Sequence, residues 1–120
     1  MKDSSTLADL SKKVNEFCDI RDWRQFHSPK DLAVAISIEA AELMELFRYK
    51  SEDDVKRIMA DPAKREAIRD ELGDLMFLLL RFGYMHGFYL DEALENKIVK
   101  IDEKYPLDVS RGRNMKYYEY

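Results

Sequence analysis

The stretch "ISIEAAELMELF", residues 36–47, decides the fold and raises the functional question together. Its Ile, Leu, Met, Phe and Ala residues suit a covered helix, yet Glu39, Glu42 and Glu45 stand in it at steps of three. An α-helix turns about 100° per residue. On that wheel Leu32, Ile36, Leu43 and Leu46 fall on the side of Glu39, with Ala35 and Glu42 close by. Glu39 and Glu42 therefore share the most apolar stripe, and Glu45 drifts to one flank. The opposite side carries Val34, Ala41 and Met44, so little of this helix is expected to face water.

A second stretch repeats the pattern. In "RDELGDLMFLLLRF", residues 69–82, Asp74 shares a side with Ala67, Leu78, Arg81 and Met85, flanked by Glu71 and Phe77. Leu72, Leu75, Leu79 and Phe82 cover the other sides. Glu71 and Asp74 thus stand at i and i+3 in an apolar surround, with Asp70 as a candidate third acid. Buried ionised carboxylates are costly unless compensated. Four on two facing helices need protonation, basic partners or cations. Arg81 is the one evident counter-charge on that face, and a single arginine does not neutralise four acids. Hard divalent cations prefer oxygen ligands. An all-carboxylate set favours Mg²⁺ or Mn²⁺ over zinc or di-iron, since neither His27 nor His86 follows a Glu by three residues. The alternative for any one acidic pair is a solvated face with salt bridges.

The rest of the chain frames these two helices. With 120 residues and 46% hydrophobic content it suits a single folded domain. Its surface-to-volume ratio makes oligomerisation a natural aid to stability. The first glycine is Gly73 and the only prolines are Pro29, Pro62 and Pro106, so an all-α fold is expected. Ser4, Ser5 or Thr6 caps a first helix to about Cys18. Ser28 and Pro29 open a second, running to about Tyr49. "SEDDVKRIMA" at 51–60 is a short third, and Asp61 with Pro62 opens a long fourth ending near Gly87. Asp91 starts a last helix stopped at "KYP", because a residue before proline avoids the helical region. Residues 1–106 form the expected domain and 107–120 a polar, aromatic-ended tail.

The formal charge of −4 argues against binding a nucleic acid polymer, which asks for a basic face. The longest apolar run, "LMFLLL" at 75–80, is far short of the ~20 residues of a membrane span. The N-terminal "MKDSSTLADL" lacks the apolar core of a signal peptide. A single cysteine, Cys18, fits a reducing, cytoplasmic setting.

Several of these elements together resemble a known family. "IEAAELMELF" followed about thirty residues later by "DELGDLMFLLLRF" is similar to the ExxE…ExxD signature of the all-α nucleotide pyrophosphohydrolases. "RDWRQFHSPKDLA" at 21–33, "KYP" at 104–106 and "SRGRNMKYYEY" at 110–120 resemble the MazG-like branch that includes the dCTP pyrophosphatases. The resemblance covers about residues 12–120. It implies a four-helix-bundle-like core that assembles as a dimer or a dimer of dimers. It implies Mg²⁺-dependent hydrolysis of a nucleoside triphosphate to the monophosphate and pyrophosphate, with a pyrimidine deoxynucleotide such as dCTP, or a modified form, as first choice. Carried over by position, Glu39, Glu42, Glu71 and Asp74 are the metal ligands. Glu42 and Glu39 are the catalytic candidates, with Glu45 behind them.

The same resemblance assigns substrate contacts. Lys97 and Lys100 share a helix face with Lys104, and residues 96–120 carry six basic side chains against four acidic ones. Lys97, Lys100, Arg111 and Lys116 are therefore candidates for phosphate, as is Arg81; a solvated face is the alternative for the lysines. Trp23, the only tryptophan, is the base-pocket candidate, although this segment can instead simply pack its aromatics. His27 either meets the base or fixes the loop, and Tyr49 stands where dCTP-preferring relatives often have tryptophan. Val99 and Ile101 replace an acid and an asparagine of close relatives, and Leu78 replaces a tyrosine, so sugar and base recognition are expected to differ. A helical module binding a nucleotide or protein without catalysis, and a hydrolase acting on dUTP, are the competing readings.

Overall fold

The computed structural model describes residues 5–120, so Ser4, one of the expected caps, lies outside the described residues. All described elements are helical. Helix α1 spans Leu7–Asp19 and opens on Thr6 and Asp9, whose side chains each bond the other's backbone N–H in a capping box. A 3-10 turn, Arg24–Phe26, follows. Helix α2 spans Pro29–Glu45, with Ser28 Oγ accepting from Asp31 N–H and Pro29 at the first helical position. Helix α3 spans Glu52–Ala60 behind a second capping box, Ser51 with Asp54.

Helix α4 spans Pro62–His86. Asp61 both terminates α3 and caps α4. Its N–H bonds Arg57 and Ile58 carbonyls while its carboxylate accepts from Lys64 N–H at 2.9 Å. Gly87 ends α4 in the left-handed conformation, φ 81°, which glycine adopts without a Cβ penalty. Helix α2 stops four residues before the expected Tyr49. Leu46 and Phe47 bond back only three residues, and Tyr49 turns to φ 62°, which no α-helix accommodates.

Chain packing gives two compact units, one ending at Phe88 and one spanning Tyr89–Tyr120. In the first, α4 is the hub: α1, α2 and α3 each pack against it. Cys18, Leu32, Ile58 and Leu80 are its buried apolar side chains. In the second unit, α5 spans Leu90–Lys104, starting one residue ahead of Asp91. The polar, aromatic-ended tail forms a short helix α6, Leu107–Ser110, and a 3-10 turn, Tyr117–Glu119. Ser110 Oγ donates to the Pro106 carbonyl at 2.7 Å, and the Tyr105 ring meets the rings of Tyr117 and Tyr120 edge-on. Those contacts draw the tail and α5 into one body.

The stripe reading of α2 holds for Leu32, Ala35, Ile36, Glu39 and Leu43, its buried or half-buried residues, whereas Glu42, expected on the same stripe, is exposed. The expectation that both acid-bearing helices are covered does not hold within one chain. Val34, Ile38 and Met44 on α2, and Leu72, Met76 and Leu79 on α4, stay largely open. Each helix is apolar around most of its circumference, and its neighbours within the first unit cover only part of it. Among the described residues no helix is long and apolar enough to cross a membrane.

Leu32 is 1% exposed, so Leu32→Ala should cost about 2–5 kcal/mol in urea unfolding, through lost transfer energy and the cavity left behind.

Candidate metal centre

Helices α2 and α4 lay their inner stripes against one another, and the acids come with them. Carboxylate oxygens of Glu39, Glu42 and Glu71 all lie within 4.8 Å of one another. Glu39 and Glu71 are half-buried and Glu42 is exposed. Oε2 of Glu39 and Oε2 of Glu71 are buried without a hydrogen-bond partner. Such orphaned oxygens are rare in folded proteins and each carries a desolvation cost. Contact with Glu71 first and Glu42 second, then burial and the charges of Glu42 and Asp74, push the Glu39 carboxyl up to about 7.

Asp74 is exposed and its oxygens are not among the three that converge, though its charge reaches Glu39. Glu45 turns away to Arg48, 2.8 Å distant. The donor set fits a hard divalent cation: all candidate ligating atoms are carboxylate oxygens, and Glu39 and Glu71 each carry a buried oxygen without a hydrogen-bond partner.

Arg81 departs from its expected place as counter-charge and phosphate ligand. It is 0% exposed. Its Nη2 donates to Asp19 Oδ1 at 2.9 Å, Nη1 to Asn15 Oδ1 at 3.0 Å and Nε to His27 Nδ1 at 2.9 Å. A guanidinium committed on three edges to α1 and the following loop is not free for the acids or a phosphate. Asn15 and Asp19, one turn apart on α1, are the partners that sequence reasoning missed. Their signal was an arginine on an apolar stripe, which requires acceptors, but 66 and 62 residues of separation conceal which ones.

The aromatic segment is organised. Trp23 meets Phe17 edge-on at 5.7 Å between centroids and His27 at 6.3 Å. Arg21 lies 3.6 Å over the Phe17 ring. Tyr49 is 90% exposed and touched by the Arg48 guanidinium at 4.8 Å, so the chain by itself builds no stacking slot around it. Lys97, Lys100, Arg111 and Lys116 are exposed in the second unit. A cavity of about 600 Å³ between α2, α3 and α4 is lined by Glu45, Lys50, Asp54, Arg57 and Asp61 among others, and Glu45 is the one sequence-predicted site residue in its lining. Two of its charges, Arg57 and Asp54, pair with each other at 2.6 Å, and it lacks the convergent carboxylates of the cluster between α2 and α4.

Residues 34–119 match the MazG-like family. This chain belongs to that family. It is 35% identical over 112 residues to dCTP pyrophosphatase 1 of Mus musculus, covering 93% of this chain and 66% of that protein. The identity to dCTP pyrophosphatase 1 of Homo sapiens is 32% over 114 residues, covering 95% and 67%. The chain thus spans about two thirds of the length of these curated relatives. A crystal structure of a pyrophosphatase from Archaeoglobus fulgidus superposes with a TM-score of 0.78 at 32% identity, covering 88% of this chain and 97% of that one. The MazG-like match includes all four signature acids, and three of them form the cluster.

Because the folded pKa of Glu39 lies above its ordinary 4.5, the metal-free fold gains stability from that proton at low pH. The gain is full below 4.5 and lost as pH rises through about 7. The melting temperature in EDTA should therefore fall across that window, and Glu39→Gln should flatten the slope. Mg²⁺ or Mn²⁺ should raise the melting temperature above pH 7 and leave the Gln variant less affected, as thermal melts would show.

Proposed function

We propose that this MazG-like protein is a divalent-metal-dependent nucleoside triphosphate pyrophosphohydrolase. It cleaves the α–β phosphoanhydride to give a monophosphate and pyrophosphate. The observation that carries the reading is the convergence of Glu39, Glu42 and Glu71 with two buried, unpartnered oxygens, in a chain whose relatives are pyrophosphatases. Glu39, Glu42, Glu71 and Asp74 would hold Mg²⁺, or Mn²⁺ in its place. A cation so held would neutralise phosphate charge and polarise the phosphoryl oxygens.

The chain's own groups do the rest. Glu42, the exposed member of the cluster, takes the proton of the attacking water. Glu39 and Glu71 hold their oxygens at the seam between α2 and α4, so the cluster keeps its shape. Trp23 supplies an aromatic face for the base, and His27 a polar edge beside it. Lys97, Lys100, Arg111 and Lys116 are assigned to phosphate charge by resemblance to the family, and Tyr49 to stacking on the same ground.

The substrate proposed is a pyrimidine deoxynucleoside triphosphate, dCTP or a modified form, in line with the similarity to dCTP pyrophosphatase 1. The role is removal of unwanted nucleotides from the cytoplasmic pool. A homo-oligomer, as a dimer or a dimer of dimers, is supported by the apolar flanks of α2 and α4 that one chain leaves open.

Incubation with Mg²⁺ and a panel of triphosphates should release pyrophosphate, fastest from dCTP or its modified forms. Orthophosphate as the sole product would overturn the proposed bond cleavage. Glu42→Gln should lower kcat by about 10²–10⁴-fold, the range expected for a lost general base, with the fold intact by circular dichroism.

A further inference from the structure

The segment that carries Trp23 and His27 is held from beneath by one guanidinium. Arg81 Nε approaches His27 Nδ1 at 2.9 Å, and a guanidinium can only donate. His27 Nδ1 must therefore accept, so its lone pair is occupied and the ring proton resides on Nε2. The imidazolium form would set an Nδ1–H against the Arg81 Nε–H and break the contact. Arg81 cannot swing aside, because Asn15 and Asp19 hold its other two edges at 3.0 and 2.9 Å. Asn15 is itself fixed, its Nδ2 donating to the Ser11 carbonyl at 2.7 Å.

The backbone of the same residue is pinned separately. His86 Nε2 lies 2.8 Å from the His27 carbonyl, which can only accept, so His86 donates. Ring and backbone of His27 are thus both tied to α4, through Arg81 and His86. None of the hydrogen bonds among the described residues uses His27 Nε2.

We infer that Arg81 is a positioning residue that locks His27 as its neutral Nε2–H tautomer, so that the segment offers a ligand one hydrogen-bond donor beside the Trp23 ring. Its consequence for specificity rests on the reading above that this segment meets the base. A fixed donor can donate to a carbonyl oxygen or an unprotonated ring nitrogen of a pyrimidine and disfavours a base that presents a donor there. The charges facing His27 agree with the geometry. Removal from water and the Arg81 charge from α4 lower its pKa, and Asp19 from α1 opposes them without prevailing.

The test is a histidine long-range ¹H–¹⁵N correlation on the full chain, titrated over about pH 5 to 8, where an ordinary histidine changes charge. His27 should show the Nε2–H pattern throughout and resist protonation at the ordinary ~6.5. An Nδ1–H pattern, or ordinary titration, would overturn the inference whatever the enzyme's activity. Arg81→Met should release the ring, giving mixed tautomers and a higher pKa under the remaining Asp19 charge; an unchanged spectrum would count against the lock. Should that variant not fold, the wild-type pattern decides alone. Addition of deoxycytidine monophosphate should then shift the His27 Nε2 resonance. A locked ring with no such shift would leave the tautomer assignment standing and remove the base-pocket role.

Discussion

Carboxylates that repel one another sit on the stripes that must meet for this protein to fold. Leu32, Ile36 and Leu43 cannot be brought against α4 without carrying Glu39 along, and Glu71 occupies the corresponding stripe of α4. Hydrophobic burial thus forces like charges together, and part of the apolar gain is set against their repulsion. Glu39 answers by holding its proton to about 7, which relieves part of the repulsion. A feature that costs stability and persists in a small fold belongs with function more readily than with architecture.

Helix α4 supplies its own contrast. Arg81, two turns beyond Asp74, is a fully buried charge with an acceptor on every edge the fold presents to it. Glu71, three residues before Asp74, is a half-buried charge with an oxygen that nothing meets. The first pattern is that of a polar group serving the structure: remove one partner and the others are left with an uncompensated charge. The second is that of a group awaiting something from outside. Both lie on one helix, and what separates their roles is satisfaction of hydrogen-bonding capacity.

Much of this was readable in the residues. Ser28–Pro29, Ser51 and Asp61–Pro62 announce three helix starts, because caps are local chemistry that depends on few neighbours. The i, i+3 acids on apolar stripes pointed to the α2–α4 seam, since periodicity fixes a face even when the partner is unknown. What escaped was whatever depended on distant pairing. Arg81 could be placed on a stripe but not matched to Asn15 and Asp19. The end of α2 was misjudged because Tyr49 takes a left-handed conformation that no glycine marks. The order of the tail is not legible in the residues, since its cohesion comes from tyrosine rings meeting Tyr105 across a turn. The coverage of α2 and α4 was overestimated, because an apolar sequence states what seeks cover and not how many helices one chain supplies.

One joint in the fold leaves no slack. Asp61 closes α3 with its amide and opens α4 with its carboxylate, so the two helices meet with no spacer between them. An inserted or deleted residue there would unmake two helix ends in one stroke and rotate the row bearing Glu71 by about 100° relative to α3. The stretch around Tyr49 and Lys50, exposed and bound by no such double duty, has room for changes of length. The chain is thus rigid in reading frame beside its acids and tolerant a few residues upstream, a pattern that a comparison of insertion sites among relatives would display directly.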